Sequence, residues 1–162
     1  MHVVRQVLAP SALAAALFAC STPSECGPPA AVVSRVIDGD TVELTSGERV
    51  RYLLVDTPEV DGVASECYAR QALALNRTLV EHRRIELRYE EQCTDRFGRL
   101  LAYVTVDGRE VNSLLVEEGY ACVLHVPPSG AARVQEFLEL EQSARSLNLG
   151  LWGSCSVPPC GG

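Results

Sequence analysis

Past residue 30 the chain reads as short β-branched runs broken by turns. "AVVSRVI" (31–37), "TVELT" (41–45) and "RVRYLLV" (49–55) are separated by "DGD" and "SGE", where Gly39 and Gly47 supply the turns. Runs of this kind predict strands. "ECYARQALALNRTLVEH" (66–82) spaces Leu73, Leu75, Leu79 and Val80 among polar residues and predicts an amphipathic helix. "RRIELRYE" (83–90) and "LLAYVTV" (100–106) predict two more strands, and Asp107-Gly108 a tight turn. "VNSLLVEEG" predicts a short helix that stops at Gly119, "YACVLHV" a brief extended piece, and "ARVQEFLELEQSARSLN" (132–148) a third helix. Helices after the third strand and beyond the fifth suggest an α+β fold, not alternating βαβ units. A closed five-stranded OB-fold barrel with three helices fits, an architecture whose outer face commonly binds nucleic acids or sugars.

The first 19 residues stand apart. A weakly positive start, "MHVVRQ", leads into "VLAPSALAAALFA", an apolar run without polar residues at helical spacing. It is too short for a membrane span of roughly 20 residues and has the form of a secretory signal. Residues 20–30, "CSTPSECGPPA", read as a Pro-rich linker, 31–155 as the folded domain and 156–162 as a tail. All 14 basic residues are Arg, and the net charge is −7. That counts against a nucleic-acid partner, although the local field at a site matters more than the total.

Two strands end in acids: "IDGDT" (37–41) and "LLVDTPE" (53–59). Asp38 and Asp40 are two apart, so on an extended chain they point to one side. Asp56 and Glu59 flank Thr57-Pro58, where proline ends the ladder. If the two strands are neighbours, the acids meet at one end of the barrel, where hard oxygens suit Ca²⁺. Taken singly, each segment is an ordinary turn. Arg51 lies five residues before Asp56, and Arg99 follows the turn in "TDRFGRLLAY". Two arginine forks beside an oxygen-ligated cation would describe a phosphodiester site.

The order I-D-G-D-T, R-x-L-L-V-D-T-P-E, T-D-x-x-G-R-x-x-A-Y resembles the staphylococcal nuclease (thermonuclease) family, over about residues 32–152. The resemblance implies a five-stranded OB barrel and Ca²⁺-dependent hydrolysis of DNA and RNA to 3′-phosphates and 5′-hydroxyls. It implies Asp40 and Asp56 as carboxylate ligands of Ca²⁺ and Thr57 as a ligand through its backbone carbonyl. Glu59 matches the acid that positions or deprotonates the attacking water, and Arg51 and Arg99 match the pair that binds the scissile phosphate. Asp38 matches an acid behind the metal ligands, Asp95 is expected to order the turn carrying Arg99, and Arg96 is expected to bind substrate. Two departures stand out. The family's basic loop after "TPE" is absent, and its two nucleotide-flanking tyrosines read Phe97 and His125. Phe97 keeps a stacking face. His125 could stack, donate, or sit as an exposed strand-end residue.

A non-catalytic OB-fold module that binds single strands or a partner protein is the alternative reading. Such a binder should lose its acids and gain aromatics, whereas here Phe, Tyr and Trp make up 6%. An exported structural lipoprotein would explain the leader but not the clustered acids and arginines. Nothing in the pattern suggests a dimer face, so a monomer is expected. Seven cysteines in an exported chain leave one unpaired. Cys20 follows "LFA", which looks like a bacterial lipobox and would place a lipid on Cys20 at a membrane surface. Ordinary signal cleavage after "AAA" (14–16) is the other option. Six cysteines then remain, with fifteen possible connectivities. The fold implied by the resemblance brings Cys67 to Cys93 and Cys122 to Cys155, and Cys26 and Cys160 then pair by default.

Overall fold

The computed structural model describes residues 26–60 and 65–160. Strands β1 (Ala30–Val36), β2 (Thr41–Leu44) and β3 (Arg49–Tyr52) form an antiparallel meander. Helix α1 (Ala69–Val80) leads to β4 (Arg84–Thr94) and β5 (Leu100–Val106), a second antiparallel pair. β1 pairs with β4, and β3 runs parallel to β5, so the five strands close into a barrel. The register of the parallel seam places Arg51 opposite Leu101. A two-residue strand β6 (Arg109–Glu110) returns on β5, followed by α2 (Val111–Glu117), α3 (Val134–Ser146) and a four-residue α4 (Leu151–Ser154). The expected α+β barrel with three helices is therefore present, with β6 and α4 added.

Alternation along the strands explains the core. Val33, Val42, Val50, Ile85, Ala102 and Val104 point into the barrel and are fully buried, with Leu115 of α2 and Phe137 of α3 closing over it. Among the described residues no helix is long and apolar enough to cross a membrane.

β3 is shorter than its apolar run. The ladder stops at Tyr52, not Val55, and Leu54 adopts a positive φ of 61°. Asn112 of α2 takes over the backbone there. Its fully buried side chain donates to Leu53 O at 2.9 Å and accepts from Val104 N–H at 2.8 Å. Buried backbone groups need partners, and a side chain serves as well as a strand. The chain is thereby released from the sheet just before Asp56.

All six cysteines from Cys26 onward are bridged, but not in the expected pairs. Cys26 joins Cys93, Cys67 joins Cys155, and Cys122 joins Cys160. The expected bridges Cys67–Cys93, Cys122–Cys155 and Cys26–Cys160 do not form. The segment before β1 continues along β4: Leu87 N–H donates to Pro29 O at 2.8 Å and the Tyr89 hydroxyl to Pro28 O at 2.9 Å. That path carries Cys26 to Cys93. Cys155 is displaced from Cys122 because Gly119 and Gly150 dock back to back. A Cβ on Gly150 would meet Gly119 O at 2.1 Å, and Leu151 N–H donates to that same oxygen at 2.8 Å. The segment so fixed presents Cys155 to Cys67 at the head of α1. Cys20 and the signal expected over residues 1–19 lie outside the described residues.

Candidate active site

Three backbone segments bring the site together. The first is the turn between β1 and β2, where Asp38 Oδ1 accepts the Asp40 N–H at 3.0 Å. The buried Asn76 of α1 donates to Asp38 O at 3.0 Å and accepts from the Tyr52 hydroxyl at 2.9 Å, which fixes the turn to helix and barrel together. The second is the irregular stretch after β3, pinned where Asp56 and Cys122 exchange backbone hydrogen bonds at 2.9 and 2.8 Å. Gly39 lets the two approach, because a Cβ there would stand 2.6 Å from Thr57 Oγ1. The third is the turn between β4 and β5. Asp95 Oδ1 accepts from the backbone N–H groups of Phe97 and Arg99, at 2.9 and 3.0 Å.

Asp40 is 3% exposed and uses both oxygens. Oδ2 accepts from Thr57 N–H at 2.8 Å and Thr57 Oγ1 at 2.9 Å; Oδ1 accepts from Thr41 Oγ1 at 3.2 Å and faces Arg51 Nε at 3.1 Å. Arg51 reaches Asp56 Oδ1 at 2.9 Å with its other edge. One guanidinium thus bridges the two expected metal ligands. The strands before the two acids, β1 and β3, are not neighbours but are separated by β2, and the acids still meet at one side chain, Arg51. Arg99 Nη1 stands 3.5 Å from Thr41 Oγ1, so a polar chain Arg99–Thr41–Asp40–Arg51 joins the two arginines. Arg99 Nε is held by Asp95 Oδ2 at 2.7 Å.

One guanidinium does not neutralise this group of acids. Burial, then the charge of Asp40, pushes the Asp38 carboxyl up to about 7. Burial also raises Asp56 and Glu59, with Asp40 adding like charge to both and Arg51 only partly opposing it. Asp95 goes the other way: burial disfavours its charge, but hydrogen bonds from Arg99 and Phe97 outweigh that and hold its pKa below the ordinary range.

A groove of about 530 Å³ opens beside these residues. Arg51, Arg96, Phe97 and Arg99 line it together with the apolar Leu54, Leu124 and Val126. Phe97 is 68% exposed, with the Arg96 guanidinium 4.7 Å from its ring centroid. His125 is not among the walls of the groove. Its Nε2 is buried without a hydrogen-bond partner among the described residues, while its neighbours Leu124 and Val126 face the opening. Extended chain alternates its side chains, so residue 125 cannot share the face of 124 and 126.

Sequence reasoning passed over Thr41, Asn76 and Glu66. Thr41 adjoins Asp40 in the quoted motif, and its hydroxyl was the available signal. Asn76 breaks the apolar face of its helix. Glu66 N–H donates to Glu59 O and its carboxylate accepts from Glu59 N–H, a contact with no local pattern.

Asp40, Asp56 and the Thr57 carbonyl are hard oxygens of the type calcium takes, and the nearby acids are raised first by burial and then by the like charge of Asp40, which a divalent ion would offset. Among the described residues the compact three-residue cluster is elsewhere, at Cys122, Glu141 and Cys160. Its two sulfurs are spent in a disulfide, so it offers no comparable site.

The profile of the staphylococcal nuclease homologue family matches residues 49–154, from the start of β3 through α4. The chain belongs to this family. The family is metal-dependent, in keeping with the hard-oxygen set. The chain is 37% identical over 126 residues to the SPbeta prophage-derived endonuclease YokF of Bacillus subtilis, covering 74% of this chain and 43% of that protein. Endonuclease YncB of the same organism is 39% identical over 126 residues, covering 74% and 60%. The Thermonuclease of Staphylococcus intermedius is 32% identical over 126 residues, covering 75% and 74%. The chain therefore spans about half the length of the two Bacillus relatives.

Proposed function

We propose that this chain is a Ca²⁺-dependent endonuclease that hydrolyses phosphodiester bonds of DNA and RNA, leaving 3′-phosphate and 5′-hydroxyl ends. The observation that carries the reading is the Arg51 fork bridging Asp40 and Asp56, with Arg99 joined to it through Thr41 at the mouth of the groove. Asp40, Asp56 and the Thr57 carbonyl would hold Ca²⁺, which when bound supplies positive charge to the phosphoryl oxygens. Arg51 and Arg99 add fixed donors aimed at the same charge as it grows in the transition state. Glu59, exposed after Pro58, orients the attacking water or takes its proton; the partial burial of its carboxyl and the charge of Asp40 raise its pKa. Phe97 and the apolar lining offer stacking and contact to bases without reading their edges, which suits cleavage of both DNA and RNA.

Export belongs to the same proposal. Three bridges suit an oxidising compartment, and they leave Cys20 as the seventh cysteine, consistent with lipidation and a membrane-surface monomer.

The test is incubation of the folded chain with plasmid and with RNA, in Ca²⁺ and in excess chelator, with end-group labelling of the products. Cleavage should require Ca²⁺, and Glu59→Ala or Arg99→Ala should slow it by on the order of a hundredfold. Full activity in chelator overturns the metal assignment. Binding of single strands without cleavage would favour the non-catalytic module.

A further inference from the structure

Glu59 lies outside any strand, after Pro58, at the exposed end of an irregular stretch. Among the described residues two hydrogen bonds reach its backbone, and both come from one residue. Glu66 Oε2 accepts the Glu59 N–H at 2.7 Å, and Glu66 N–H donates to Glu59 O at 3.0 Å. The Glu66 carbonyl separately accepts Ala69 N–H at 3.2 Å at the head of α1. Helix entry therefore uses the Glu66 backbone, while its side chain is used on Glu59.

Glu66 is itself tethered. The next residue, Cys67, is bridged to Cys155 at the end of α4. α4 is anchored by the fully buried Leu151, whose N–H donates to Gly119 O at 2.8 Å. A covalent route thus runs from the barrel's helical cap to the residue that grips Glu59. The grip has an electrostatic cost, since the Glu66 charge adds to the negative potential at Asp56 and Glu59. A charge-assisted hydrogen bond is about twice as strong as a neutral one, which offsets that cost.

We propose that Glu66 is a positioning residue for Glu59, and that the Cys67–Cys155 disulfide holds it in place. The inference rests on the reading of the chain as a nuclease in which Glu59 acts on the attacking water. A reacting group misplaced by about 1 Å can cost up to a hundredfold in rate, so a backbone clamp on Glu59 acts on turnover and not on substrate affinity.

The experiment measures kcat and KM with Ca²⁺ on single-stranded DNA, for Glu66→Ala and Glu66→Gln in the unaltered and Glu59→Ala backgrounds. Glu66→Ala should lower kcat about tenfold with KM within about twofold, and Glu66→Gln, which still offers an oxygen, should recover at least about half. In the Glu59→Ala background Glu66→Ala should cost less than about twofold, because the two act through one contact. An equal loss in both backgrounds, unchanged kcat, or misfolding of Glu66→Ala by circular dichroism overturns the proposal. The paired change Cys67→Ser with Cys155→Ser should lower kcat in the same background-dependent way; unchanged kcat overturns the part assigned to the bridge. Hydrogen exchange at the Glu59 amide reads the contact without activity and should quicken in Glu66→Ala. If the unaltered chain fails to cut, the nuclease reading falls, and the exchange result still decides whether Glu66 holds Glu59.

Discussion

Arg51 presents one planar fork to four oxygens: Asp40 Oδ1, Asp56 Oδ1 and the carbonyls of Tyr52 and Val55. Its side chain is 13% exposed and that of Asp40 4%, so the pair lies mostly out of water. Removing one partner of such a pair costs about 3–5 kcal/mol, mainly by leaving the other charge buried. Arg51→Ala should therefore lower the thermal midpoint, and added Ca²⁺ should restore more in this variant than in the unaltered chain, because the ion takes over as the shared cation. Equal shifts in both proteins would mean that Asp40 and Asp56 do not hold the ion. Asp95 gives a second expectation. Its folded pKa is depressed by Arg99 and Phe97 despite burial, so its stabilisation is fully present above the ordinary Asp range near 3.9. It is lost as pH falls through the folded pKa. The stability gap between the unaltered chain and Asp95→Asn, by urea unfolding, should be wide at pH 7 and close in strong acid. That Asp40 and Asp56 come together beside Arg51 is legible in the sequence, in the two runs that end in acids, whereas their roles rest on the resemblance. Asn76 and Glu66 are not legible there, since each acts on a group that only the fold brings near, and the same holds for the contact of Thr41 with Arg99.

At the level of elements, periodicity located all five barrel strands and the three longer helices, because burial on one face leaves its mark on every second, third or fourth residue. It missed the end of β3, where Asn112 satisfies Leu53 and stops the ladder from the other side of the molecule. It also treated residues 20–30 as a linker, because proline and small residues carry no strand signal, yet Pro28 and Pro29 accept hydrogen bonds along β4. A carbonyl needs no N–H of its own residue to be paired, so an edge of this kind tolerates proline. The Cys26–Cys93 bridge follows from that placement. Non-reducing peptide mapping of the full chain, produced from residue 1, should find Cys26 with Cys93, Cys67 with Cys155, and Cys122 with Cys160. The bridges span 67, 88 and 38 residues. By the loop-closure argument each stabilises by about 4 kcal/mol. Cys26→Ser with Cys93→Ser should lower stability by that order, and a change under about 1 kcal/mol would show that the segment before β1 holds β4 without its staple.

Across the whole molecule, charge is distributed against the expected substrate. Past residue 19 the chain carries 13 Arg and 21 acids, and many of those arginines are taken up in ion pairs, such as Arg35 with Glu43 and Arg133 with Glu110 and Glu136. The lining of the groove runs positive, with Arg51, Arg96 and Arg99 against Asp95, although Arg51 and Arg99 are themselves paired with acids. What matters for a phosphate chain is the number of charges neutralised and counterions released, not the net charge of the protein. With about three arginines in reach, log affinity for duplex DNA should fall with log salt at a slope of about −3, against about −6 or steeper for a protein with twice the contacts. The measurement uses Glu59→Ala, so that DNA survives, at fixed Ca²⁺ and several NaCl concentrations. Arg96→Ala should then reduce the slope by about one without altering the hydrolytic residues. A slope of −6 or steeper in the parent would mean that arginines beyond this groove also hold the DNA, and the binding face would have to be extended along the barrel.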